Sequence, residues 1–428
     1  MLKRINLKSE LVKSVVLLTS GTVLAQVISL GLQPVIARLF TPDEMGELGY
    51  FLRWATFISS IATARYEMAI PLPKNKSHGF QLFRAALRIS LYSMLAVLTC
   101  GLLYSLLGER DLEFQFFIIA LAAASFGIIF RTLGTNWALT NKAFKRITAS
   151  KITESLGMNG FRIFAGLLGF GVPGLIIATI LGIFSSAIVF ILDFFKIKGR
   201  DEFQNSKKKQ FVLLKEYKDY PKVNLPHVIL DTGRDLLLAI LMKEYFDIFT
   251  YGNYDMSFRM LKIPLALVGG SIGQVFFQRC SESFANKQAI YPLLKKTTLV
   301  LTGLSILPFA TVFFFGEEIF SFVLSERWSF SGEISEVLAP WLMVNFIISP
   351  VSTIPLVIKK QKIFFWLGLL GTILQLLVFG LLPYLEIFDD NKLNYFKVAG
   401  WGLALFLLFS LYVKLVLVKK ADVINLKH

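Results

Sequence analysis

Cysteine and histidine are scarce: the 428 residues hold two cysteines, Cys100 and Cys280, and three histidines, His78, His227 and His428. Cys100 stands in an apolar run and Cys280 in a basic stretch, so there is no disulfide framework, and histidines so far apart offer no metal site. No Gly-Lys dipeptide occurs, which removes a phosphate loop and with it ATP-driven export. There is no zincin pairing of His and Glu, no G-x-S-x-G elbow and no dinucleotide fingerprint after a strand, so neither chemistry on a substrate nor a cofactor is expected. Charge is thin at 17%, against 55% hydrophobic residues and a mean hydropathy of +0.62. A soluble domain of this length is more polar.

What is present is a series of apolar runs, each of roughly 20 residues, punctuated by charge. Hydrocarbon offers the backbone no hydrogen-bond partners, so every such run is a helix and the fold class is all-α, an integral membrane protein of about 12 transmembrane helices. The first six are predicted at Ser14 to Ala37, Glu47 to Leu72, Phe83 to Leu107, Phe114 to Leu139, Ser150 to Phe170 and Pro173 to Phe195. The second six are predicted at Val223 to Phe246, Thr250 to Phe277, Pro292 to Gly316, Val337 to Ile358, Ile363 to Pro383 and Val398 to Val418. The basic, polar start MLKRINLKSE leads into an apolar stretch without a small-residue cleavage pattern, which reads as the first helix and not as a removed signal peptide.

The net charge is +16, but the basic residues do not gather on one polar face or tail as a nucleic-acid binder would have them. They alternate with acidic loops. Lys3, Arg4 and Lys8, then Lys74 and Lys76, then Lys142, Lys145 and Arg146, then Lys196 to Lys222, then Arg279 and Lys287, then Lys359, Lys360 and Lys362, then Lys419 and Lys420 form one set. Asp43 and Glu44, Glu109 and Asp111, Asp247, Glu317 and Glu318, and Asp389 and Asp390 belong to the other. The positive-inside rule places the basic set, and both termini, in the cytoplasm.

The longest basic segment divides the chain into an N-terminal lobe at 1–195, a linker at 196–222 and a C-terminal lobe at 223–428. Its lysines suit anionic headgroups as well as plain solvation. Gly46 to Arg53 has the same Gly-to-Arg spacing as Gly252 to Arg259, each near the start of the second helix of its half. A parallel repeat would produce that match, and so would chance.

Polar stripes run through the spans. Thr19, Thr22, Gln26, Ser29 and Gln33 share one face of the first helix. Arg53, Thr56, Ser60, Thr63 and Glu67 share a face of the second, with Arg65 to one side; Asn224, His227, Asp231 and Arg234, with Asp235, mark the seventh, and Asp255, Arg259 and Lys262 the eighth. Arg131, Arg162 and Glu154 add charge on the fourth and fifth, whereas the last four helices carry essentially none. Charge at the bilayer centre costs at least about 2.5 kcal/mol per residue, so these side chains face water or one another. Hydroxyl and amide stripes also serve as interhelical glue. Pairing of Arg53 or Arg65 with Glu67, Arg162 with Glu154, and Arg234 with Asp231 or Asp235 leaves Arg131, Arg259 and Lys262 in surplus, which points to an anionic substrate. Arginine's planar fork fits phosphate oxygens in pairs, and a cavity for organic cations would be acidic and aromatic instead.

The stretches SGTVLAQVISLGLQPVIARLFTPDEMGELGYF, from Ser20, and ARYEMAIPLP, from Ala64, resemble the start of bacterial O-antigen-type polysaccharide flippases of the multidrug, oligosaccharidyl-lipid and polysaccharide exporter superfamily. The resemblance implies two six-helix lobes around a central cavity, lined by helices 1, 2, 7 and 8. It implies transport of an undecaprenyl-pyrophosphate-linked oligosaccharide from the cytoplasmic to the outer leaflet of the bacterial inner membrane, by alternating access and with an ion gradient. The family's basic cavity residues correspond in kind to Arg38, Arg53, Arg65, Arg131 and Arg259. Arg162, Arg234 and Lys262 join them from the stripes. Glu67, Asp231 and Asp235 are candidates to carry a proton or sodium ion, or are salt-bridge partners. The implied partners are the lipid-linked saccharide, membrane lipids and a polysaccharide polymerase, with no nucleic acid. A drug or peptidoglycan-precursor transporter of the same fold is the alternative. A polymerase or membrane glycosyltransferase would need a large outer domain, and the longest outer segment predicted here is about Glu317 to Glu336.

Overall fold

The computed structural model describes residues 10–109, 111–198, 205–388 and 391–427. Lys3, Arg4, Lys8, part of the linker and the Asp389–Asp390 pair lie outside these. Every regular element among the described residues is helical: α1 (Glu10–Leu39), α2 (Pro42–Ile61), α3 (Lys76–Leu107), α4 (Leu112–Thr140), α5 (Phe144–Leu167), α6 (Gly171–Lys198), α7 (Lys207–Glu216), α8 (Leu225–Phe246), α9 (Ile248–Ala285), α10 (Tyr291–Val323), α11 (Ser329–Ile348), α12 (Ile354–Val357), α13 (Gln361–Leu376), α14 (Leu382–Tyr384) and α15 (Lys392–Lys427), with short 3₁₀ and π turns between some of them.

Among the described residues, eight spans are long and apolar enough to cross a membrane: Leu17–Leu39, Lys76–Leu107, Leu112–Thr140, Gly171–Leu192, Tyr291–Val323, Glu326–Val357, Gln361–Tyr384 and Lys392–Ile424. The other long helices are α2, α5, α8 and α9, which carry most of the polar stripes. The shortest of them, α2, has 20 residues and so reaches about 30 Å, the thickness of the hydrocarbon core. They fall short in apolarity, not in length. With them the described spans number twelve.

Local chemistry sets the helix starts. Thr41 and Glu44 form a reciprocal capping box ahead of α2, with the Thr41 N–H donating to Glu44 Oε2 at 2.8 Å and the Glu44 N–H to Thr41 Oγ1 at 3.3 Å, and Pro42 occupies the first helical position. Asn75, Asp111 and Ser206 cap α3, α4 and α7 through their side chains.

The chain divides into two units. The first comprises residues 1–40 and 47–237, and the second 41–46 and 238–428. Inside the first, Phe80, Phe83, Phe130, Trp137 and Phe194 bring α3, α4 and α6 together, with Phe80 and Phe83 stacked at 5.8 Å. The linker is not featureless. Leu213 and Gln210 of α7 are buried, Gln210 Nε2 donates to Gln81 Oε1 at 2.9 Å, and the Tyr66 hydroxyl donates to the Leu214 carbonyl at 3.0 Å. Inside the second unit, α11 is the central element, buried along most of its length against α9, α10 and α15.

Several predicted boundaries move, most of them outward as helices run on past the apolar spans, and two of the shifts matter for the charged residues. The second helix was expected to run to Leu72, but α2 stops at Ile61 because Ala64 and Arg65 take left-handed backbone angles (φ 49° and 65°), which a right-handed helix cannot contain. Glu67 lies in the 3₁₀ turn that follows, Tyr66–Ala69. The outer segment Glu317 to Glu336 is mostly helix, since α10 continues to Val323 and α11 begins at Ser329. Charges at helix ends, which had suggested a loop, are simply the solvated turns of longer helices. The last four helices are also not free of charge: Lys414 lies inside α15 with 5% of its surface exposed.

Candidate functional site

In the first unit, the polar stripes of α1 and α5 meet. Ser29 and Ser155 hydroxyls lie 2.9 Å apart, Asn159 Nδ2 donates to Ser29 Oγ at 3.3 Å, and Ser155 Oγ donates to the Ala25 carbonyl at 2.7 Å. This part of the stripe is interhelical glue, every polar group answered by another. One turn nearer the start of both helices the seam changes character, and Lys151 Nζ donates to Thr22 Oγ1 at 2.7 Å.

Arg131 on α4 pairs with Glu154 on α5, their side chains 29% and 19% exposed. Arg162, predicted to be the partner of Glu154, is buried and donates through Nε to Thr179 Oγ1 at 3.0 Å. The exchange has a simple cause. Arg162 sits two turns beyond Glu154 on the same helix, out of i,i+4 reach, whereas Arg131 comes from a neighbouring helix.

At the end of α2, Glu67 is buried, accepts from the Thr63 hydroxyl and pairs with Arg65 at 3.0 Å. Arg65 also reaches Met68 Sδ at 2.8 Å and keeps a buried Nε without a partner among the described residues. The predicted helical stripe is therefore realised by a turn: the left-handed residues fold Glu67 back onto Thr63. Arg53 is half-buried on α2, and Arg38 is exposed at the end of α1, where it donates to the Pro34 carbonyl at 3.3 Å. Ser60 of α2 and Thr232 of α8 share a hydrogen bond of 3.1 Å.

On α8, Arg234 lies between two carboxylates, at 2.8 Å from Asp235 and 3.4 Å from Asp231. Both predicted partners are engaged at once.

In the second unit, Arg259 of α9 pairs with the buried Asp255 one turn before it, and Lys262 stands 4.8 Å over the Phe258 ring. Behind them Asn253, Ser257 and Ser331 form a fully buried clamp between α9 and α11: Ser331 Oγ donates to Asn253 Oδ1 at 2.7 Å and Ser257 Oγ to the Ser331 carbonyl at 2.5 Å. Arg131, Arg259 and Lys262, expected as the surplus, thus each have a neighbour that moderates the charge.

Lys151 and Lys414 are among the cations that the sequence reading did not single out. Lys151 precedes Glu154 by three residues, a spacing that could have marked it. Lys414 was hidden by the apolar run around it. Outside the spans, Asp247 caps α9 by accepting from the Thr250 N–H at 2.7 Å and pairs with Lys392. Burial pulls its pKa up, but the hydrogen bonds and charge from Lys392 and Thr250 prevail and hold it below the ordinary 3.8. Among the described residues no group of three or more His, Cys, Asp and Glu side chains could hold a metal ion.

A family model described as "Polysaccharide biosynthesis protein" matches residues 35–332. No match is found among curated protein sequences. The fold is similar to the lipid II flippase MurJ in an inward closed conformation, with a TM-score of 0.66 and 16% identity, covering 96% of this chain and 91% of that one. It is also similar to an inward-facing multidrug resistance transporter of the MATE family and MOP superfamily (TM-score 0.63, 13% identity, 94% and 96% covered) and to an outward-facing one (TM-score 0.53, 14% identity, 97% and 95%).

Proposed function

The chain belongs to the polysaccharide biosynthesis protein family, and from that premise we propose that it is a flippase that carries an undecaprenyl-pyrophosphate-linked oligosaccharide from the cytoplasmic to the outer leaflet of a bacterial inner membrane. The observation that carries the proposal is the set of basic side chains within the spans, Arg53, Arg131, Arg162, Arg234, Arg259 and Lys262, in a multi-pass fold like that of flippases and exporters. Two arginine forks suit the two phosphates of such a lipid, and the saccharide would be held by hydroxyl and amide groups such as those of Thr56 and Gln26. Arg38 and Arg65, near helix ends, would meet the same headgroup as it enters or leaves.

Movement of a charged lipid needs a driving force. Glu67, Asp231 and Asp235 are the carboxylates proposed to take up a proton or sodium ion; neutralising Glu67 would release Arg65, and neutralising Asp231 or Asp235 would loosen the hold on Arg234. With both termini in the cytoplasm, the lysines of α7 would lie at the inner headgroups, and a polymerase in the same membrane would receive the delivered repeat unit. A multidrug exporter is the competing reading, favoured by the likeness to the MATE transporters. The basic character of the spans argues against organic cations as cargo.

Reconstitution in liposomes with a fluorescent undecaprenyl-pyrophosphate oligosaccharide tests this, with a proton or sodium gradient imposed and withdrawn. Gradient-dependent appearance of the label in the opposite leaflet supports the flippase. Absence of movement, with transport of cationic dyes instead, overturns it.

A further inference from the structure

The Arg131–Glu154 pair stands well inside its two helices. Glu154 is ten residues into α5 and Arg131 nine residues from the end of α4, so both lie about 14 Å from those helix ends. Both side chains keep part of their surface open, at 29% and 19%. Charged surface at that depth does not face lipid, so it opens onto water or a ligand. Beside it stands a second cation, Lys151, three residues before Glu154 on the same helix face and tethered to Thr22 of α1 at 2.7 Å. One turn beyond Thr22, Gln26 presents a buried side-chain oxygen with no hydrogen-bond partner among the described residues. The cluster holds two positive charges and one negative, and its polar seam is unfinished.

We propose that Glu154 is a resident counter-ion that the diphosphate of the cargo displaces from Arg131, and that Lys151 is the residue that receives the displaced carboxylate. The inference rests on the reading of the cargo as a lipid-linked diphosphate. An arginine left unpaired at this depth is strongly unfavourable, so the empty protein needs an internal anion, and Glu154 supplies it. Carboxylate and phosphate offer the same pair of oxygens to a guanidinium, and the diphosphate carries more charge, so it takes Arg131 when it arrives. Glu154 is then an anion beside another anion. Turning toward Lys151 removes that conflict, since the two are already neighbours on one face of α5 and the ammonium, among the described residues, donates to the Thr22 hydroxyl and not to a carboxylate. Loading and unloading become an exchange of partners in which no charge stays bare, and Glu154 lowers the affinity enough for the cargo to leave.

The purified full-length protein is titrated with inorganic pyrophosphate, following heat release and thermal stability. Wild type should bind; Glu154→Gln should bind about tenfold more tightly, because the competitor is gone, and Lys151→Gln about tenfold more weakly, because the displaced carboxylate has no second partner. Lys151→Gln leaves the Arg131–Glu154 pair in place, so it remains informative if Glu154→Gln fails to fold. Binding by wild type with neither variant shifted overturns the counter-ion exchange and leaves the flippase reading standing. No binding by wild type or any variant removes the diphosphate cargo itself, and the exchange with it.

Discussion

Gly252 near the start of α9 lies against the capping turn of α2, where a Cβ on Gly252 would stand 3.1 Å from the Gly46 nitrogen and would collide with the Pro42 carbonyl oxygen. These are the two glycines that the sequence marks by equal spacing to Arg53 and Arg259. Residues 41–46 belong to the second unit, so the contact is part of that unit's own packing. Backbone approaches backbone here because neither position carries a side chain, the device by which small residues let membrane helices come close.

Gly252→Leu is therefore expected to lower stability by about 1–3 kcal/mol through overpacking, while the same change at Gly160, where a Cβ meets nothing within 4 Å, should cost far less. Thermal melting of the two purified variants in one detergent compares them directly.

Arg65→Ala, Arg131→Ala and Arg259→Ala should each abolish transport of the lipid-linked saccharide at unchanged membrane expression. Wild-type rates in all three would sink the assignment of these side chains to cargo. For Arg131, reversal of the pair as Arg131→Glu with Glu154→Arg should restore folding better than either change alone, because the ion pair is rebuilt, but should not restore transport if the cation's place on α4 matters.

Cys280 is fully buried near the end of α9. A reagent cannot reach a thiol enclosed by packed side chains, so Cys280 should resist a maleimide at pH 8 in the folded protein and react once the chain is unfolded in dodecyl sulfate. A Cys100→Ser background isolates the signal.

The Asp247 carboxyl has its folded pKa depressed below 3.8, so the stability it contributes is present above the ordinary value and is lost as the pH falls through the folded one. Melting temperature followed from pH 6 down to about 3 should fall less steeply in Asp247→Asn, which cannot titrate, than in wild type. Parallel curves would mean that the Lys392 and Thr250 contacts do not act on the carboxylate in solution.

The sequence by itself determined the class: apolar runs of spanning length leave the backbone no choice but helix, whichever residues fill them. It also identified most of the charged side chains within the spans, because a costly residue in an apolar run stands out on its own. Partners were decided only by the tertiary structure. Glu154 was assigned to Arg162 from a shared helix, yet it belongs to Arg131, since a neighbour across a helix interface has no signature in linear spacing. Glu67 reads as a point on a continuing stripe with Arg65 to one side, but α2 ends before both, and the left-handed backbone torsion of Ala64 and Arg65 is fixed by their surroundings and not by their own preference. Lys151 passed unnoticed because its significance lies in Thr22, 129 residues away. Composition and period are local properties that a chain carries with it, whereas the match of one side chain to another depends on how helices pack, and that is settled only when the whole unit folds.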